Sequence, residues 1–189
     1  MKQIEKLKKL NVCEKAVEWL ENQPDWQIAW NNCERGDWML WLLAKLSGSP
    51  ETKNRMKLTL VACECARFAL PFVEKGEKRP LKAIETAEKW TRGEPDITYQ
   101  MVRSAAYTAH TAYNTWTACA LASYAAAHAA YSAVAAAAYA AVAAEDVADA
   151  YAVAAAPIPY AWAADANTKT QILKQCADIV RKHYPELKY

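Results

Sequence analysis

The stretch TACALASYAAAHAAYSAVAAAAYAAVAA, residues 117–144, decides the fold. It is the centre of a longer tract between Ser104 and Asn167 that holds no Lys, no Arg and no Gly, and in which roughly half of the residues are Ala. Alanine has the highest helix propensity and the smallest apolar side chain, so this composition predicts closely packed α-helix. Tyr, Trp and His punctuate the tract at helical spacings. Such a tract supplies scaffold and a few projecting rings, with little acid–base chemistry.

Outward from it, the rest of the chain also reads as helix. No run of alternating apolar and polar residues argues for a strand. From Asp96 to Ala156 there is neither Gly nor Pro. A single helix of that length would reach roughly 90 Å, too long for one compact domain, so breaks are expected around Tyr113 to Thr117 and around Glu145 to Asp149. Pro157 and Pro159 end the tract. The expected architecture is all-α: one domain over residues 1–189, a multi-helix bundle made of a Trp-rich half (1–95), Ala-rich helices (96–166) and a C-terminal helix (167–189).

Local signals place the helices of the first half. Ile4, Leu7 and Leu10 predict a short opening helix, and Asn11 can cap a second that ends before Pro24. Pro24 or Asp25 opens a third, with Trp26, Trp30 and Cys33 one turn apart. Asp37 is placed to cap a helix from Trp38 to Leu46. Ser49 and Pro50 predict the next start, with Leu58, Val61, Cys65 and Phe68 on the buried side. Pro80 starts another helix, in which Leu81, Ile84 and Ala87 pack; Gly93 closes it and Thr98 caps the one that follows. A final helix from Thr168 to His183 returns Ile172, Cys176, Ile179 and Val180 to the core.

Composition narrows the function. The formal net charge is +2, too near neutral to imply DNA, RNA or an anionic membrane as partner. Eight Trp and ten Tyr against two Phe put many rings at edges, because indole and phenol groups need a polar partner when buried. Residues 117–144 carry no formal charge, but Ser123, His128 and Ser132 interrupt them and no Lys or Arg flanks them closely, so a membrane span is not expected. Met1 to Lys15 is charged and amphipathic, unlike a signal peptide. Cys33, Cys65, Cys119 and Cys176 sit among apolar helical positions and read as buried, reduced thiols of a cytoplasmic protein. No Cys-x-x-Cys pair exists, Cys63 and Cys65 would point to different sides of a helix, and His110, His128 and His183 are the only histidines, so no metal is expected.

Two constellations are candidates for binding. If the helix is continuous, Tyr99, His110, Tyr113, Tyr124, His128, Tyr131 and Tyr139 share one stripe, either lining a pocket or serving as the large knobs of an Ala interface. In the first half, Arg35, Asp37, Glu64, Arg67, Arg79 and Glu85 lie near large apolar residues at helix ends, as bidentate ion pairs do. Arg35 and Arg79 are the best placed to meet an anion, since each sits at a helix start. No serine-hydrolase elbow, phosphate-binding loop or zinc-protease motif is present, so neither catalysis nor a cofactor is expected.

Several motifs together carry a resemblance. Cys33-Glu34-Arg35-Gly36-Asp37-Trp38-Met39-Leu40-Trp41-Leu42-Leu43, Cys63-Glu64-Cys65-Ala66-Arg67 with Leu70-Pro71, Arg79-Pro80-Leu81-Lys82-Ala83-Ile84-Glu85 and Trp90-Thr91-Arg92-Gly93-Glu94 resemble the all-helical immunity proteins of bacterial polymorphic-toxin systems. Gly36 and Asp37 match that family's Gly-Asp motif, and similar Ala- and Tyr-rich chains occur in phage genomes. The likeness covers mainly Val12 to Arg103. It implies a cytoplasmic protein that neutralises something by binding it. The leading expectation is occlusion of a toxin, with the Gly36–Asp37 turn and neighbouring Trp38 at or near the contact and Arg35 beside them. The other reading of that turn is a helix junction capped by Asp37. The near-neutral charge departs from the acidic surface of an inhibitor that mimics nucleic acid. Two alternatives stand beside this one. The first is a phage-type sponge that traps a nucleotide-like signal between helices, with Arg35, Arg79 or Arg103 on phosphate and Tyr or Trp rings stacking on the base. The second is a structural homo-oligomer joined through Ala faces.

Overall fold

The computed structural model describes residues 5, 7, 12, 14–48, 52–68, 70–72, 75–105, 108 and 166–186. Among these residues every regular element is helical, as the sequence predicts. In chain order they are α1 (Glu14–Glu21), α2 (Trp26–Asn32), α3 (Gly36–Leu46), α4 (Lys53–Arg67), a 3-10 turn (Leu70–Phe72), α5 (Arg79–Thr91), helical residues 99–105, and α6 (Ala166–His183). The expected breaks in the Ala-rich tract, the tyrosine and histidine stripe beyond Tyr99, and the start at Asn11 lie outside the described residues.

α4 is the centre. Its outward face holds Lys53, Asn54, Lys57, Leu60, Glu64 and Arg67, while Leu58, Val61, Ala62, Cys63, Cys65 and Ala66 are all buried. A helix buried on most of its circumference must have neighbours on several sides; α3, α5 and α6 provide them. Cys63 and Cys65 do point to different sides, and both sides are interior. The Cys63 thiol faces the Ile84 carbonyl of α5 at 3.8 Å, and the Cys65 thiol faces the Cys176 carbonyl of α6 at 3.8 Å. Phe68, expected inside, is 37% exposed because it follows Glu64 by one turn and so continues the outward line of α4.

The helix ends follow their chemistry. Asp25 accepts a hydrogen bond from the Ile28 amide at 2.8 Å, as an N-cap should. Pro80 sits in the first turn of α5, where a missing N–H costs nothing, and the Glu77 carboxylate accepts the Arg79 amide at 2.8 Å. Gly93, at φ 72°, closes α5: its amide reaches the Trp90 carbonyl and the Glu94 amide reaches that of Lys89, the double bond of a Schellman motif. Thr98 accepts from the Met101 amide, as expected.

Two starts differ from the sequence reading. α4 is capped by Thr52, whose hydroxyl accepts the Arg55 amide at 3.2 Å. α3 begins at Gly36, so Asp37 lies inside the first turn instead of capping. There its charge still favours the helix N-terminus, and its oxygens are taken by Arg35.

The C-terminal helix closes the core. Ile172, Cys176, Ala177 and Val180 are buried, and Ile179 is half-buried. A Cβ built on Gly36 would lie 2.5 Å from the Cys176 Cβ, 2.7 Å from the Ala177 nitrogen and 2.8 Å from the Leu173 carbonyl oxygen. The glycine therefore marks where α3 and α6 touch backbone to backbone. Beyond it, the end of α6 is tied down by side chains of two other helices and by one of its own. The Trp30 indole N–H donates to the Tyr184 carbonyl at 2.8 Å, Lys57 donates to the His183 carbonyl at 2.9 Å, and Arg181 donates to the Cys33 carbonyl at 2.6 Å. Among the described residues, no helix is long and apolar enough to cross a membrane.

Candidate functional site

The Arg35-Gly36-Asp37-Trp38 segment is the sharpest polar feature on the surface. The Arg35 guanidinium donates to both Asp37 oxygens, at 2.8 and 2.6 Å, and its carbon lies 4.2 Å from the centre of the Trp38 ring. The two charged side chains are 40% and 36% exposed. Arg35 is thus held twice, by a bidentate carboxylate and by an aromatic face, while remaining open to solvent. Trp38 in turn leans on Trp19, with ring centres 6.2 Å apart and planes tilted by 57°. Gly36 is the inward member of the motif: α6 covers it, so its place in the sequence is explained by the helix crossing.

Behind Trp38 lies an apolar cavity of about 50 Å³, lined by Trp19, Trp26, Trp30, Trp38 and Trp41 together with aliphatic residues of α1 to α3. The tryptophan richness of the first half is concentrated there. Among these rings Trp30 is buried, whereas Trp19, Trp26, Trp38 and Trp41 are half-buried.

The other candidate residues are dispersed. Arg79 pairs with Glu77, its Nε 2.9 Å from the carboxylate, and this guanidinium holds the Glu77 carboxyl below its ordinary range. Tyr99 packs on Trp90, with ring centres 6.1 Å apart. Arg79 and Trp90 stand at opposite ends of α5, about 16 Å apart along its axis, so Arg79 and Tyr99 do not converge on one site. Arg103 is exposed. His110, Tyr113 and His128 lie outside the described residues.

The expected ion-pair cluster is several separate pairs. Arg67 makes a bidentate pair with Glu88 at 2.8 and 2.7 Å, Glu64 meets the His183 Nε2 at 3.1 Å, and Glu85 is exposed. Glu77 and Glu88, the actual partners of Arg79 and Arg67, do not stand out in the sequence.

A buried arginine was not foreseen at all. Arg55 is 1% exposed; it donates to the Ala44 carbonyl at 2.8 Å and to the Gly48 carbonyl at 2.8 and 3.2 Å, satisfying acceptors left over at the end of α3. Burial pushes its pKa down, and Tyr99 opposes that shift electrostatically. The available signal was its helical register with Leu58, Thr59 and Ala62. Tyr99, assigned by its spacing to a binding stripe, belongs to the surroundings of this internal charge.

Burial and a neighbouring Glu88 charge raise the Cys63 thiol to about 12, and burial also raises Cys33. Such thiols are protonated at neutral pH and poor nucleophiles. Among the described residues no three His, Cys, Asp or Glu side chains gather as a metal site would require. No family model matches the chain, and no curated protein or solved structure matches it. What the described residues define is an all-helical protein with a half-exposed arginine–aspartate–tryptophan face.

Proposed function

We propose that the chain is a non-catalytic binding protein of immunity type, which neutralises a toxin protein by covering it, and that the face bearing Arg35, Asp37 and Trp38 makes the contact. The observation that carries this reading is the double restraint on Arg35, which Asp37 grips and Trp38 stacks against while it stays 40% exposed. Arginine and tryptophan contribute most where a few residues dominate an interface. A side chain already fixed loses little further freedom on binding, so such a pair gives affinity at small entropic cost. The sequence resemblance supplies the class of partner.

The test is protection in cells. In a host made to express a polymorphic-toxin domain whose growth arrest this chain is to relieve, the unaltered protein should restore growth. Trp38→Ala and Asp37→Arg should each lose that protection, whereas Glu85→Ala, an exposed position on α5, should retain it. Full protection by both face variants, with folding verified by circular dichroism, would defeat the assignment.

A further inference from the structure

We propose that Cys65 and Cys176 form an oxidative modification site, closing to an intramolecular disulfide that staples α4 to α6. The two residues face one another across the helix contact. The Cys65 thiol points at the Cys176 carbonyl at 3.8 Å, and the Cys176 thiol points back at the Cys65 carbonyl at 3.9 Å. Each sulfur thus lies within 4 Å of the other residue's backbone, the close mutual approach that a disulfide needs. Gly36 makes the approach possible from the opposite side, because its missing side chain lets α6 seat deeply at Cys176.

The neighbouring thiols are directed elsewhere. Cys63, two residues away, turns to the Ile84 carbonyl of α5, and Cys33 to the Arg35 carbonyl at 3.6 Å. The geometry thus selects one pair among the described cysteines.

Burial controls when the pair reacts. Cys65 and Cys176 are 0% and 3% exposed, and the adjacent Cys176 side chain together with burial drives the Cys65 pKa upward. Both effects suppress the thiolate that must attack an oxidant. Oxidation therefore waits for α6 to lift, and the bonds of Trp30 and Lys57 to the end of α6, with that of its Arg181 to Cys33, set how often that happens. With an azo oxidant such as diamide the balance is closed. One thiolate adds to an N=N nitrogen, the second displaces it from sulfur, and the S–S bond forms. The two thiol protons end on the nitrogens of the resulting hydrazine, which carries away both electrons.

The experiment uses the full chain, folded by circular dichroism, treated with diamide with and without mild urea, alkylated and peptide-mapped. The expected product is lighter by roughly 2 Da, contains Cys65 linked to Cys176 and reverts with dithiothreitol. Trp30→Phe, which removes one tie on α6, should raise the rate roughly three- to tenfold. Cys176→Ser and Cys65→Ala should each abolish the linked peptide, and the map of the unaltered chain decides the matter even if a variant fails to fold. A first product joining any other pair, or no linkage even in mild urea, would overturn the proposal.

Discussion

Replacing Gly36 with alanine probes the contact on which the packing of α6 depends. The added methyl would sit 2.5 Å from the Cys176 Cβ and within 2.8 Å of two backbone atoms of α6. Against the 3.4 Å at which ordinary contact begins, these are shortfalls of about 0.6 to 0.9 Å, the scale at which overpacking costs roughly 1–3 kcal/mol. Two of the three atoms belong to helix backbone and cannot swing aside, so α6 must move outward as a body. A gap approaching 1 Å forfeits about a quarter to a half of the dispersion energy of each contact along the seam. Alanine's better helix propensity offsets at most about 1 kcal/mol, and less at the first residue of a helix. Gly36→Ala should therefore lower the urea midpoint with little change in slope, and lower the thermal midpoint by roughly 3–10 °C for a chain of this size. Unchanged or increased stability would show that α6 does not rest on the start of α3.

Other perturbations reach different parts of the structure. Arg55→Leu should destabilise the fold by about 2 kcal/mol or more, because the Ala44 and Gly48 carbonyls lose charged donors inside the protein; equilibrium urea unfolding measures this, and a neutral result would contradict the internal role of Arg55. Trp30→Phe should cost about 1 kcal/mol in the same assay through loss of the indole bond to Tyr184. The Glu77 carboxyl is held below 4.5 by Arg79, so the stability it confers is complete at neutral pH and disappears as pH falls through that depressed value. Glu77→Gln should accordingly flatten the acid limb of a stability-versus-pH curve, and an unaltered limb would refute the linkage.

How far the fold could be read ahead depended on whether the governing signal was local. Caps and stops such as Asp25, Pro80, Gly93 and Thr98 act within a few residues of themselves, and each does what its chemistry predicts. The apolar spacing of Leu58, Val61 and Cys65, and of Ile172, Cys176 and Val180, likewise identifies a buried face without any knowledge of the partner helix. Features set by distant segments were hidden. Arg55 is inside because the end of α3 presents carbonyls to it, and Gly36 is required because α6 crosses there. The charge pairs show the same division. Arg35 with Asp37 is a two-residue affair and legible, whereas Arg67 with Glu88 joins two helices. In the candidate site, residue types pointed to Arg35 and Asp37 and the family resemblance added Trp38, but the stacking order and the inward turn of Gly36 depend on where α1 and α6 lie.

The claim beneath all of this is that the last helix is part of the core and not an appended tail, since it buries Gly36 and so fixes the position of the Arg35–Asp37–Trp38 face. Hydrogen exchange of the intact protein, followed by mass spectrometry, tests it most directly. Amides of residues 172–180 should exchange as slowly as those of 58–66 and in step with them, as helices that open only together do. Rapid exchange over 172–180 while 58–66 stay protected would contradict it.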